Sequence, residues 1–252
     1  MSDRLDHAFV PAAEPPARRD DDAPPCEPAA RHDAAPATPA FPPATAPLDL
    51  TRIGALIAAT PIWDDTRLGA SIDATLDGWD GASDVWVFAY GSLIWKPEFA
   101  HIEARRARVH GLHRRLCLWS TLTRGTCAAP GLVLGLDAGG SCDGVAYRLP
   151  ARDVRDAFTR LWQREMKRGS YLPVFLRTRT ERGPISALAF AINRELPCYA
   201  GHLGDAQVAE VLRRAAHGRC GSSRDYVLHT VAALRGHGIH DAGLERVAAL
   251  LG

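Results

Sequence analysis

The sequence has no run of about 18 apolar residues, so no transmembrane helix of ordinary length is expected. Its N-terminus has no basic stretch leading into an apolar core, so no secretory signal is expected either. It has little net charge: +1 at pH 7, with a pI near 7.7. Dedicated nucleic-acid binders and membrane-surface proteins need a clustered positive field, which a balanced chain does not supply. Cysteines stand at positions 26, 117, 127, 142, 198 and 220, with no C-x-x-C pair. A zinc ribbon and a thioredoxin-like motif are therefore not indicated, and at this low density the thiols are expected to be free, in a reducing compartment. These absences together place the protein in the cytosol with no membrane or nucleic-acid partner, and a monomer is expected.

What is present divides in two. Of the 18 prolines, eleven precede residue 48, mixed with alanine and with the charged run Arg18-Arg19-Asp20-Asp21-Asp22. Such a segment buries too little apolar surface to offset its ordering entropy, so residues 1–47 are expected to form a disordered tail. Residues 48–252 read as one folded domain. Leu68, Ile72 and Leu76 recur at helical spacing, and Val85 to Tyr90 is a short, continuous apolar run that stops at Gly91, as a buried strand does. Val109 to Trp119 reads as extended. Leu132 to Leu136 and Gly144 to Leu149 flank Asp137-Ala138-Gly139-Gly140-Ser141, which predicts a β-hairpin. Pro150 opens a helix to about Met166. Val174 to Thr180 and Ile185 to Ile192 flank Arg182-Gly183 and predict a second hairpin. Val208, Val211, Leu212 and Ala215 share a helical stripe, Ser222 with Asp225 fits a helix cap, and Asp241 fits another. Strands in hairpins and helices in blocks, without βαβ alternation, point to an α+β fold. Its sheet is expected to be small, curved and mostly antiparallel, or a small barrel, with flanking helices.

Two local features carry chemistry. Along the helix after Pro150, Val154, Ala157, Phe158, Leu161 and Trp162 form the apolar face, and Glu165 continues it. A carboxylate on a core-facing stripe is either paired or raised in pKa, and a raised pKa is what a general base near neutral pH requires. Pairing with Arg164, or exposure in the last turn, is the alternative. The second feature is Tyr90-Gly91-Ser92-Leu93, a turn delivered by a buried strand, whose successive N–H groups can face one anion or carbonyl oxygen. An ordinary strand-terminating turn is the alternative here.

Read together, Trp86-Val87-Phe88-Ala89-Tyr90-Gly91-Ser92-Leu93-Ile94-Trp95 resembles the signature of ChaC-like γ-glutamylcyclotransferases. The resemblance continues in order through His113-Arg114, Arg124-Gly125-Thr126, Gly144 to Leu149, Leu161 to Met166, Gly169 to Pro173 and Gly221-Ser222 with Tyr226, spanning roughly 60 to 250. It implies a mixed α+β domain with a small curved sheet around the pocket. It also implies conversion of glutathione to 5-oxoproline and Cys-Gly without cofactor or metal. By the same resemblance Glu165 is the catalytic glutamate, Tyr90, Gly91, Ser92 and Leu93 hold the γ-glutamyl group, and Tyr171 lines the pocket. The tail before residue 48 and the Lys167-Arg168-Gly169-Ser170 stretch depart from the family pattern, which leaves the breadth of γ-glutamyl substrates open.

His110 and His113 invite a metal reading, but no further ligand stands at a convincing spacing, so they are expected to be solvated. His237-Gly238-Ile239-His240 reads as a loop. A cysteine nucleophile paired with a histidine is a rival mechanism, although nothing in the sequence selects one cysteine. A non-catalytic γ-glutamyl-binding protein, or a cyclotransferase acting on other γ-glutamyl peptides or amines, is the remaining alternative. Arg105, Arg106, Arg108 and Arg115 read as a solvated strip, with Arg114 helping to form the pocket.

Overall fold

The computed structural model describes residues 48–201, 203–214 and 217–252. The expected tail 1–47 and Ala215 of the expected helical stripe lie outside them. Two short helices come first, α1 (Leu50–Ala58) and α2 (Asp65–Thr75), capped by Asp49 and Asp64, whose carboxylates accept the N–H groups of Arg52 and Arg67. Strand β1 (Val85–Ala89) leads through a 3-10 turn (Ser92–Ile94) to the long strands β2 (Glu103–Ser120) and β3 (Gly131–Leu149). After a 3-10 turn (Ala151–Asp153) come α3 (Val154–Glu165), the strands β4 (Tyr171–Thr180) and β5 (Gly183–Ile192), and the helices α4 (Asp205–Arg214), α5 (Ser223–Gly236) and α6 (Ala242–Ala249).

The strands close into a barrel in the order β1-β3-β2-β4-β5. All pairings are antiparallel except β1 with β5 and β3 with β5. This is the small, curved, mostly antiparallel sheet expected, with helices around it. The apolar stripe of α3 behaves as its spacing predicts. Val154, Ala157, Phe158, Leu161 and Trp162 are all buried, with Trp162 stacked on Phe158 and edge-on to Phe190 of β5. The caps of α5 and α6 also form as read, with Ser222 accepting from the Asp225 N–H and Asp241 from that of Leu244. Residues 237–240 link these two helices, as expected.

The hairpin expected around residues 137–141 does not form. β3 runs unbroken through them, and both of its halves pair with β2 rather than with each other. The ladder steps from His110↔Ser141 to Leu112↔Ala138, leaving out Gly111 on one strand and Gly139 and Gly140 on the other. All three have positive φ (+82°, +102° and +66°), so the glycines bend the two strands together instead of reversing one. Asp137 prevents a surface turn here. Its carboxylate is fully buried and accepts from Arg115, Arg194, Tyr199 and its neighbour's N–H.

The bend matters because β1 is five residues long and β3 nineteen. β1 covers β3 only from Val145 to Leu149, and β5 reaches β3 again at Leu136. Among the described residues, no strand pairs with this flank of β3 before Leu136.

Candidate active site

That uncovered flank is where the sequence-predicted residues converge. Tyr90, Gly91, Ser92, Leu93, Glu165 and Tyr171 all line one cleft, together with Leu134, Phe190 and Tyr226. About 290 Å³ of non-atom space, open solvent included, lies between these residues. A second, larger groove of about 740 Å³ lies over Asp84, Trp86, Arg105 and Arg148. Its charges are already paired, Arg148 with Asp84 at 2.8 Å and Arg105 with Glu103 at 2.7 Å, so it offers no uncommitted acid or base.

The loop after β1 is shaped by its own hydrogen bonds. Ile94 N–H donates to the Gly91 carbonyl (3.0 Å) and Lys96 N–H to that of Ser92 (2.8 Å), closing a tight turn. As the opening residues of a helical turn, Ser92 and Leu93 have N–H groups with no carbonyl one turn back, and such groups suit an anion or a polarised carbonyl oxygen. Gly91 stands at a close approach: a Cβ there would lie 3.0 Å from the Tyr226 hydroxyl and 3.6 Å from Leu134 Cδ1, so the hydroxyl would have to shift. Arg114 anchors the loop from below. Its side chain is buried and donates to the Tyr90 carbonyl, to the Asp143 carbonyl and to Asp241 Oδ2 (2.6 Å).

Two tyrosines take the place of a strand beside β3 at Leu134, and a third caps β5. Tyr171 donates its hydroxyl to the Leu134 carbonyl (2.9 Å), Leu134 N–H donates to the Tyr226 hydroxyl (3.3 Å), and Tyr90 donates to the Phe190 carbonyl (2.7 Å). Backbone groups that would otherwise be buried without partners are thus satisfied. Burial, reinforced by the charge of Glu165, holds Tyr90 and Tyr171 well above the ordinary phenol range, and burial pushes Tyr226 up to about 12. All three remain neutral in the physiological range and cannot serve as bases there.

Glu165 ends α3 with its side chain 16 % exposed. Both readings of it from sequence hold at once. It pairs with Arg164, whose Nε lies 3.0 Å from Oε1, yet its proton affinity is raised. Burial is the main cause. Arg164 pulls the other way, and the nearby Glu98 carboxylate adds to the rise.

The remaining sequence candidates lie elsewhere. His110 is exposed on β2 and His113 Nδ1 meets the Gly139 carbonyl at 3.0 Å. Among the described residues, no group of three or more His, Cys, Asp or Glu is arranged to hold a metal ion. Cys117, Cys142, Cys198 and Cys220 are free thiols as expected, whereas Cys127 is disulfide-bonded, which corrects the expectation of free thiols throughout. No described cysteine lines the cleft, and burial pushes Cys117 to about 12 and Cys142 to about 11, so neither is a thiolate near neutral pH. The arginine strip is mostly paired: Arg105 with Glu103, Arg108 with Asp143 and Arg115 with Asp137. Tyr226 was visible in sequence only as part of a resembling stretch. Its position four residues after the Ser222 cap, on the buried side of α5, was the available sign.

A model of the family described as "ChaC-like protein" matches residues 85–251, most of the chain and the whole of this site. The chain belongs to the ChaC-like family. Among its relatives, the glutathione-specific γ-glutamylcyclotransferase of Escherichia coli K12 is 36 % identical over 195 residues, covering 77 % of this chain and 84 % of that protein. Glutathione-specific γ-glutamylcyclotransferase 1 of Mus musculus is 34 % identical over 149 residues, covering 57 % and 66 % respectively. In structure, the chain is similar to a yeast γ-glutamyl cyclotransferase specific to glutathione, with a TM-score of 0.63 at 22 % identity, covering 67 % of this chain and 96 % of that one. That likeness concerns the fold. Among the described residues no helix is long and apolar enough to cross a membrane.

Proposed function

We propose that residues 48–252 are the catalytic unit of a glutathione-specific γ-glutamylcyclotransferase, which converts glutathione to 5-oxoproline and Cys-Gly. The observation that carries this reading is that Glu165 and the Tyr90-Gly91-Ser92-Leu93 loop face one cleft. In the proposed reaction the α-amine of the γ-glutamyl group attacks its own side-chain carbonyl carbon. A five-membered lactam forms, the bond to the cysteinyl nitrogen breaks, and no water or cofactor is consumed.

Each step has an assigned group. The α-amine titrates near pH ~8 and is largely protonated at neutral pH. Glu165 removes a proton from it and returns one to the departing nitrogen, and its raised proton affinity suits both transfers. A role of this kind contributes about 10²- to 10⁴-fold. The N–H groups at Ser92 and Leu93 hold the γ-glutamyl group folded, with the reacting atoms about 3 to 3.5 Å apart. Each donor aimed at the developing oxyanion adds roughly 3 kcal/mol. Tyr171 lines the wall and keeps β3 in place. On this reading the enzyme works as a cytosolic monomer on a small-molecule substrate, with no metal, nucleic-acid or membrane partner.

The test is Glu165→Gln. The variant is expected to fold and to bind glutathione by calorimetry while losing more than nine-tenths of the rate of 5-oxoproline release. A variant that keeps over a tenth of the wild-type rate removes Glu165 from the base role.

A further inference from the structure

Arg164 is placed unlike an ordinary surface arginine. Its Nε lies 3.0 Å from Glu165 Oε1, one terminal nitrogen donates to Ser92 Oγ (2.8 Å), and the other to the Lys96 carbonyl (2.6 Å) and Glu98 Oε2 (3.0 Å). One planar group therefore ties the end of α3 to the loop that follows β1. Successive residues on a helix do not ordinarily face each other, so the contact between Arg164 and Glu165 is not a product of helical spacing. It forms because the loop draws the guanidinium across the helix end.

Glu98 supplies the independent observation. Among the described residues it is the non-glycine residue with positive φ (+59°), a conformation that L side chains seldom adopt and that persists where the surroundings hold it. Its carboxylate lies against Arg164 on the side away from Glu165, and 3.5 Å from Lys96 Nζ. A lone guanidinium beside the base would weaken it by favouring the charged carboxylate. A second carboxylate on the same guanidinium offsets that effect.

We infer that Arg164 and Glu98 are a positioning pair for Glu165: Arg164 fixes the carboxylate against the Tyr90–Leu93 loop, and Glu98 balances the guanidinium so that the carboxylate remains an effective base. The inference rests on the assignment of Glu165 as the base. The charged and titratable groups around Glu165 are Arg164 from α3, Glu98 and Lys96 from the loop, Tyr90 after β1, Tyr171 from β4 and Tyr226 from α5, with Arg124 over the Tyr226 ring. The phenols stay neutral, so Arg164 and Glu98 dominate the local charge.

The test compares Arg164→Met, Arg164→Lys and Glu98→Gln by two readouts: the pH dependence of kcat/KM for 5-oxoproline release, and a ¹³C NMR titration of the Glu165 carboxyl, assigned with Glu165→Gln. Arg164→Met is expected to move the acid limb and the carboxyl titration to higher pH and to lower kcat about 100-fold through misplacement of the base. Arg164→Lys keeps the charge but not the planar fork, so the acid limb stays while kcat falls. Glu98→Gln moves both titrations to lower pH, and this variant lies on an exposed loop where folding is not at stake. Shifts of the Met and Gln variants in the same direction, or wild-type titrations in both, overturn the inference. Wild-type protein that releases no 5-oxoproline defeats the proposed activity instead, and the carboxyl titration then decides the pair on its own.

Discussion

Replacing Arg114 with methionine removes the anchor beneath the loop while keeping a long, unbranched apolar side chain. The arginine side chain is 2 % exposed and donates to two backbone carbonyls, of Tyr90 and Asp143, and to Asp241. Each carbonyl left without a partner in a buried setting costs roughly 1–3 kcal/mol. Asp241 is 23 % exposed and can recover water, so its share falls at the low end of such losses. The sum is about 3–7 kcal/mol, a large part of the ~5–15 kcal/mol that holds a typical domain folded. Urea unfolding followed by tryptophan fluorescence measures it. Asp241→Asn separates the ion pair from the helix cap, because asparagine still accepts the Leu244 N–H. That variant is expected to lose about 1–2 kcal/mol, and the double variant less than the sum of the singles, since the two sites share one contact. The loop should also loosen in Arg114→Met, lowering kcat/KM more than in Asp241→Asn. A stability loss below about 1 kcal/mol in Arg114→Met would refute the anchoring argument.

Gly91→Ala has an allowed φ, so the fold should survive, but the new methyl pushes on the Tyr226 hydroxyl, and kcat/KM is expected to fall at least about 10-fold; unchanged kinetics would remove the close-approach argument. Glu165→Gln should melt higher than wild type at pH 8, because the folded state raises the proton affinity of Glu165 and so disfavours its charge. The wild type regains that stability as pH falls through the raised pKa, and the gap should close below the ordinary 4.5, so a variant less stable at pH 8 contradicts this. Burial alone would raise Asp137, but hydrogen bonds from Arg194 and Tyr199 more than offset it and hold its pKa below 3.8. Its stabilisation is therefore present above pH 3.8 and lost as pH falls through the lower folded value. Asp137→Asn should lose about 3 kcal/mol at pH 7 and progressively less under acid, and a difference independent of pH would count against the network.

What could be read from the sequence was what depends on near neighbours in the chain. The 3.6-residue period of α3 delivered Glu165 to the cleft, the apolar run before Gly91 delivered the loop, and the Ser222 and Asp241 caps each rest on a bond three residues away. The rest depends on contacts that a one-dimensional pattern does not contain. Arg114 meets Asp241 across 127 positions, and Tyr226 meets Leu134 across 92. The run 137–141 carries every sign of a turn, and only the long partner strand β2 and the buried partners of Asp137 make it a bend. Arg164 was legible as a partner of Glu165 but not as a link to Ser92 and Glu98, because the loop's path after Ile94 is set by tertiary packing.

A barrel stave that stops short leaves a notch, and here the notch is upholstered with phenols already tethered to the main chain. Enlarging the chamber by trimming a tyrosine would strand a peptide group in the dry interior, so the wall yields poorly to gradual remodelling. Variation in what the chamber admits should accordingly arise outside this panelling before it reaches the panelling itself.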